Sequence, residues 1–247
     1  MQKFIKLKKS DKIVIITSSN LIHLYPASVL KKKLNKCGFK KVKLILDNPY
    51  SNLYIILKKK IKEIGLMRTS SQVVSKFIDY HLLQKLIKLK LKKKLEKQNL
   101  KYSYFKNFKN FVNYDLAVCF STQKIPSHIL NQTKKGFINF HPGLLPDYAG
   151  ISNFYALVDR KDNKIGFTIH YMTQKLDRGK IILKKKISFK KKINIHLINL
   201  ICMLVAIKDF VKLIRKNKIS KNSQNIINKI NYKGWYDLSD LFKYLTR

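Results

Sequence analysis

A chain of 247 residues with 45% hydrophobic and 11% aromatic residues buries a sizeable core, which excludes an intrinsically disordered protein despite a formal net charge of +40. That charge points toward a polyanion partner, yet only five of the 53 basic residues are arginine and glycine numbers only 8, a skew that A/T-rich codon drift also produces. Three cysteines far apart (Cys37, Cys119, Cys202) exclude a CxxC redox pair and a zinc finger, and read as thiols of a reducing compartment. The apolar run after the basic N-terminus is too short for a signal peptide, and Asn194, His196, Asn199 and Lys208 interrupt the most apolar segment, Ile193 to Val211. A soluble cytoplasmic protein with no membrane span is therefore expected; oligomeric state is not fixed by any sequence feature.

The elements follow in chain order. Lys12 to Thr17 is a β-branched run expected to form a buried parallel strand, Ser18 to Asn20 a turn, and Pro26 to Leu34 a helix with its proline near the start. Val42 to Asp47 is a second strand, ended by Asn48 and Pro49. Leu53 to Leu100 is helical in pattern, with leucines interleaved with lysines; such a basic amphipathic stretch can lie on a membrane or an RNA, but its lysines are more simply a solvated face.

Asp115 to Phe120, Gly136 to Phe140 and Gly166 to Tyr171 are further strands, and Lys180 to Leu183 a sixth. Asn194 to Lys216 predicts a long helix packed on the sheet, Lys216 to Lys229 a linker, and Trp235 to Leu245 a last short helix at the domain edge. The alternation defines an α/β fold, a Rossmann-like open, mostly parallel twisted sheet with helices on both faces, and ligands bound beyond the carboxyl ends of the strands. The expected division is a catalytic domain over residues 10–190 and a helical extension over 191–247.

The chemistry-bearing residues cluster at those strand ends. Asn139 and His141 close one strand, and Asp177 lies in a turn 36 residues beyond His141. An amide and an imidazole can stabilise an oxyanion and a carboxylate can take a proton, which suits acyl or formyl transfer to an amine. Singly, each residue is an ordinary turn or packing residue. The sequence offers no GxGxxG, P-loop or nucleophile elbow, and no metal cluster among His23, His81, His128 and His196.

The stretch from Asn139 to Gly150, which reads Asn-Phe-His-Pro-Gly-Leu-Leu-Pro-Asp-Tyr-Ala-Gly, resembles the signature of the 10-formyltetrahydrofolate-dependent formyltransferases. Gly166 to His170 and Leu176-Asp-Arg-Gly179 are similar to the family's second block at the expected distance, and the likeness is firm from about Asp115 to Ile182. The resemblance implies a catalytic trio of Asn139, His141 and Asp177, supported by His170, Gly143, Gly150 and Gly179. It also implies 10-formyltetrahydrofolate as co-substrate, held by the loop Phe120, Ser121, Thr122, Gln123, Lys124, Ile125 and Pro126. Gly143 stands where the family more often has serine, and Ala149 where it has arginine, which bears on the acceptor more than on the chemistry.

An amine acceptor is thereby implied, and a small amine such as an amino-sugar nucleotide is the leading expectation. Glycinamide ribonucleotide is less favoured, because the first strand–helix loop lacks glycine. Methionyl-tRNA is less favoured because only about 60 residues follow the sixth strand. A formyltetrahydrofolate hydrolase and a non-catalytic RNA-binding protein on the same scaffold are the remaining alternatives; the charge motivates the second.

Overall fold

The computed structural model describes residues 4–47, 53–105, 111–122, 124–150, 152–189, 193–220 and 232–247. In chain order it begins with β1 (Phe4–Ile5), β2 (Ile13–Ser18), α1 (Leu21–Lys36), β3 (Val42–Asp47), α2 (Leu53–Ile64) and α3 (Leu66–Asp79). A π turn, Tyr80–Gln84, leads into α4 (Lys85–Glu96), followed by β4 (Ser103–Phe105), β5 (Leu116–Phe120), α5 (Ser127–Leu130) and β6 (Phe137–His141). Then come β7 (Ala149–Gly150), α6 (Ser152–Val158), β8 (Gly166–Tyr171), β9 (Ile181–Lys186), α7 (Ile195–Arg215), β10 (Ile219–Ser220), β11 (Tyr232–Lys233) and α8 (Leu238–Leu245).

Seven strands form one sheet in the order β4-β3-β2-β5-β6-β8-β9. The first five run parallel; β8 is antiparallel to β6, and β9 to β8. The chain moves outward from β2 to β3 and β4, then returns to β5 on the other side of β2. Their carboxyl ends therefore flank the point where strand order reverses, the usual ligand crevice of such sheets.

Alternation along β2 explains the layering. Ile13 and Ile15 face a core shared with α1, α6, α7 and α8, while Val14 and Ile16 face a smaller one built from Ile45, Ala117, Cys119, Ile125, Ile129 on α5 and Phe137. Such double burial requires the near-continuous apolar run that marks β2 in the sequence. Lys184, Lys185 and Lys186 are exposed on β9, where charge on an edge strand discourages further pairing.

Three expectations shift. The first helix starts at Leu21, because the Asn20 side chain caps it by accepting from the Ile22 N–H at 3.1 Å. Pro26 thus lies inside the helix, leaving the Ile22 carbonyl without its usual i+4 donor. The edge strand β4 carries too weak an apolar run to be seen in sequence. The last helix begins at Leu238, behind a capping box between Asp237 and Asp240. The linker expected over Lys216 to Lys229 falls mostly outside the described residues. No helix among those described is long and apolar enough to cross a membrane.

Candidate active site at the carboxyl edge

β6 ends on His141, and β8 runs beside it so that Asn139 pairs with His170. The turn between β8 and β9 then brings Asp177 back over both. His141 is buried, with Nδ1 3.7 Å from Asp177 Oδ1 and Nε2 3.4 Å from the Tyr148 carbonyl oxygen. His170 is also buried; its Nε2 lies 3.2 Å from Asn139 Nδ2 and 3.6 Å from Asp177 Oδ1. Four side chains from two strands and one turn therefore converge, and three of them form the trio implied by the sequence.

Tautomer logic constrains this cluster. His170 Nδ1 lies 2.8 Å from the Tyr171 carbonyl oxygen, an acceptor only, so this nitrogen carries a proton and donates. In the neutral ring Nε2 then accepts from the Asn139 amide.

Burial alone would raise the Asp177 pKa, but His141, His170 and the Gly150 amide outweigh it and hold the carboxyl well below the usual carboxylate range. Burial also depresses the His141 pKa, and the attraction of Asp177 only partly restores it. The cluster thus rests as a carboxylate beside a largely neutral imidazole.

The supporting glycines act through the backbone. Gly150 adopts φ +80°, which aims its amide at Asp177 Oδ2, 3.1 Å away. Gly143 donates its N–H to the His141 carbonyl at 3.0 Å and accepts from the Thr168 hydroxyl at 2.7 Å. The same hydroxyl accepts from the Leu145 N–H at 3.1 Å, so Thr168 pins the loop after His141 to β8. Gly179 packs directly on the Tyr171 carbonyl, where a Cβ would lie 1.6 Å from the oxygen.

The loop after β5 begins at the same edge. Phe120 and Ile125 are buried, Ser121 turns the chain at φ +50°, Thr122 is half-buried, Lys124 is exposed, and Pro126 precedes α5. Gln123 lies outside the described residues. The buried pair fixes the two ends of the loop. A cavity of about 490 Å³ opens at the opposite, amino edge between Lys12, Lys31, Val42 and Tyr114, far from these groups.

Sequence reasoning missed Tyr232. It pairs in register with Ala149, which is fully buried, and so leaves no room there for the arginine common in the resembled signature. Its phenol pKa is raised by burial and then by the charge of Asp177, so the ring sits within electrostatic reach of the carboxylate. A two-residue strand beyond a lysine- and asparagine-rich stretch gives no sequence signal for such a position.

Beside the site, Ser18 Oγ lies 3.0 Å from His23 Nδ1. Burial first, then His196 and Lys88, press the His23 pKa down from 6.5 to about 4. The unfolded chain therefore binds the extra proton in that window, so stability is full above pH 6.5 and falls as pH drops toward 4. The side chain is only partly enclosed by surface area, which discounts the loss to about 2 kcal/mol. Urea melts at neutral and acid pH should show that loss in the native chain and a clearly smaller one in His23→Gln. An equal loss in both would assign the acid sensitivity elsewhere.

An open sheet with a half-buried amide, two buried imidazoles and a carboxylate at its switch-side edge has the groups that group transfer to an amine calls for. Residues 58–199, more than half of the chain, match the formyl transferase family model, and the protein belongs to that family. Among curated relatives, the GDP-perosamine N-formyltransferase of Brucella melitensis biotype 1 is 36% identical over 67 residues, 27% of this chain and 26% of its own. The phosphoribosylglycinamide formyltransferase of Haemophilus influenzae is 35% identical over 74 residues, 30% of this chain and 35% of its own. The chain thus spans about a quarter to a third of the length of these relatives. The N-formyltransferase of Helicobacter canadensis, solved with folinic acid and dTDP-3-aminofucose, superposes with a TM-score of 0.56 at 12% identity, over 91% of this chain and 71% of that one, a likeness of fold.

Proposed function

We infer that the protein transfers a formyl group from 10-formyltetrahydrofolate to the primary amine of an amino-sugar nucleotide. The convergence of Asn139, His141 and Asp177 at one strand edge carries the reading. The amine nitrogen attacks the formyl carbon, and the new C–N bond forms as negative charge builds on the formyl oxygen. Asn139 has a second amide N–H beyond the one facing His170, and that N–H together with the His141 imidazole receives this charge. Loss of such a donor typically costs roughly two to three orders of magnitude in rate.

The intermediate collapses by breaking the bond from carbon to folate N10, which must gain a proton as the amine loses one. Asp177 is too weak a base in its present setting to hold that proton for long. Its negative charge stabilises the developing ammonium and passes the proton on to N10, through water where the gap requires it. The carboxylate is regenerated and no enzyme intermediate forms. Family membership supports the folate donor. Within a catalytic domain taken as residues 10–190, the loop that the family resemblance gives to the folate starts at the same edge, with Ser121 and Lys124 exposed between the buried Phe120 and Ile125.

For the acceptor, the first strand–helix loop argues against a phosphate cradle. Asn20 occupies the Ile22 amide and Ser18 is engaged with His23, so the groups that would grip a phosphate at the start of α1 are partly taken. Two of the three related proteins described above act on or bind aminated nucleotide sugars by name.

The deciding assay offers the purified protein 10-formyltetrahydrofolate with GDP-perosamine, dTDP-3-aminofucose, glycinamide ribonucleotide or charged initiator tRNA. Folate release is expected with an amino-sugar nucleotide. Turnover with glycinamide ribonucleotide or tRNA alone overturns the acceptor assignment, and no turnover together with no folate binding overturns formyl transfer.

A further inference from the structure

The amino edge of the sheet gathers lysine. The cavity of about 490 Å³ there is lined by Lys12 before β2, Lys31 on α1, Lys40 and Lys41 in the turn into β3, Lys43 on β3 and Lys101 before β4. Lysine supplies 48 of the 247 residues of the chain but six of the eleven that line this cavity, well above its share by composition. None of the eleven is acidic. Asp115 stands nearby, but its carboxylate accepts from the Lys12 N–H at 2.8 Å and faces Lys134 at 3.9 Å, and neither Asp115 nor Lys134 lines the cavity.

The cluster is built across three elements. Lys31 Nζ donates to the Lys101 carbonyl at 3.0 Å, which ties α1 to the start of β4. Burial lowers the Lys31 pKa, a penalty that an anion against the ammonium relieves. Six ammonium groups around one concavity also repel one another, and a multiply charged anion cancels that repulsion. Between the lysines the wall is apolar: the exposed Tyr102 and the half-buried Tyr114 and Val42 supply it.

We propose that this cavity binds a nucleoside di- or triphosphate, with its phosphates among the lysines and its base against Tyr102. Three features select that class. The volume falls in the range of roughly 300–1,000 Å³ that small-molecule sites occupy, and a concavity of this size does not seat a duplex or a lipid surface. The uncompensated positive charge calls for a polyanion, and the lysine ammonium is a mobile point charge suited to phosphate oxygens. The tyrosine ring gives a flat base a stacking platform, which a bare polyphosphate has no use for. The site lies on the edge opposite His141 and Asp177, so it is separate from the formyl-transfer centre and does not depend on the acceptor assignment.

Isothermal titration of the full chain with ATP at about 0.15 M NaCl tests this. The expected result is saturable binding that the combined Lys41→Gln, Lys43→Gln and Lys101→Gln variant weakens by roughly tenfold in Kd. A control variant, Lys58→Gln with Lys90→Gln and Lys93→Gln, loses the same charge elsewhere and should stay within about twofold. All six positions are exposed, so both variants should melt near the wild-type temperature. Tyr102→Ala should weaken ATP several-fold and leave inorganic triphosphate unchanged. Absence of ATP binding, or an equal loss in the two lysine variants, overturns the proposal, the second because bulk charge then explains it. An ATP affinity untouched by Tyr102→Ala overturns the nucleotide assignment. So does binding of a single-stranded RNA oligonucleotide without binding of ATP, which assigns the cavity to nucleic acid.

Discussion

Asp177→Asn is expected to lower turnover by roughly three orders of magnitude while the protein stays folded. The replacement is isosteric, and its amide oxygen can still accept from the Gly150 N–H that Asp177 Oδ2 now engages at 3.1 Å. What disappears is the negative charge, the one group in the cluster able to stabilise an ammonium and move its proton. Folate affinity should change only a few-fold, because the loop from Phe120 to Pro126 is untouched. The wild-type pH profile supplies a second check. Asp177 is held well below the usual carboxylate range, so it remains charged on acidification, and any acid limb in kcat/KM belongs to the acceptor amine or to His141. His141→Ala, which removes an oxyanion donor but leaves the carboxylate, should cost about two orders of magnitude. Single-turnover rates that stay within tenfold of wild type in Asp177→Asn would remove Asp177 from the mechanism.

The parts of this site legible in sequence are those carried by local chemistry. Asn139 and His141 stand at the end of an apolar run flanked by Pro142 and glycine, and Asp177 sits in a turn before Arg178-Gly179; singly these are ordinary turn residues, and it is the resemblance of the two blocks to the formyltransferases that singles them out. The strands β2, β5 and β6 were equally plain, because a strand buried on both faces must be almost uniformly apolar. The less legible features depend on partners distant in sequence. The edge strand β4 is defined by pairing with β3, not by its own three residues. Tyr232 gains its position only because β11 pairs with β7 across more than 80 intervening residues. The polar stripe of α3 reads in sequence as a solvent face and is instead buried, since the backbone carbonyls of Trp235 and Tyr236 and the hydroxyl of Tyr236 satisfy it. Where a helix buries hydrogen-bonding groups, amphipathicity predicts which sides differ but not which side faces inward.

Gly179→Ala should be a severely damaging single methyl group, and Gly234→Ala a nearly silent one. A Cβ at Gly179 would stand 1.6 Å from the Tyr171 carbonyl oxygen and 2.6 Å from its carbon, so relief requires the backbone itself to move. Overpacking against a rigid ladder costs about 3 kcal/mol or more, and here the ladder is held by the Tyr171 N–H donating to the Lys180 carbonyl at 2.9 Å. The displaced carbonyl is also the one that fixes His170 Nδ1 at 2.8 Å. Shifting it loosens the ring that touches both Asn139 and Asp177, so turnover should fall by at least about a hundredfold even where the variant remains folded. At Gly234 a Cβ meets nothing within 4 Å, so its stability should stay within about 0.5 kcal/mol of wild type. Urea midpoints of the two variants, read beside formyl-transfer rates, separate the ideas. If Gly179→Ala unfolds at the same midpoint as Gly234→Ala and keeps its rate, then the turn after β8 does not hold the site in register. A large drop in both quantities at Gly179 alone ties the geometry of Asp177 to the packing of one glycine on the Tyr171 carbonyl.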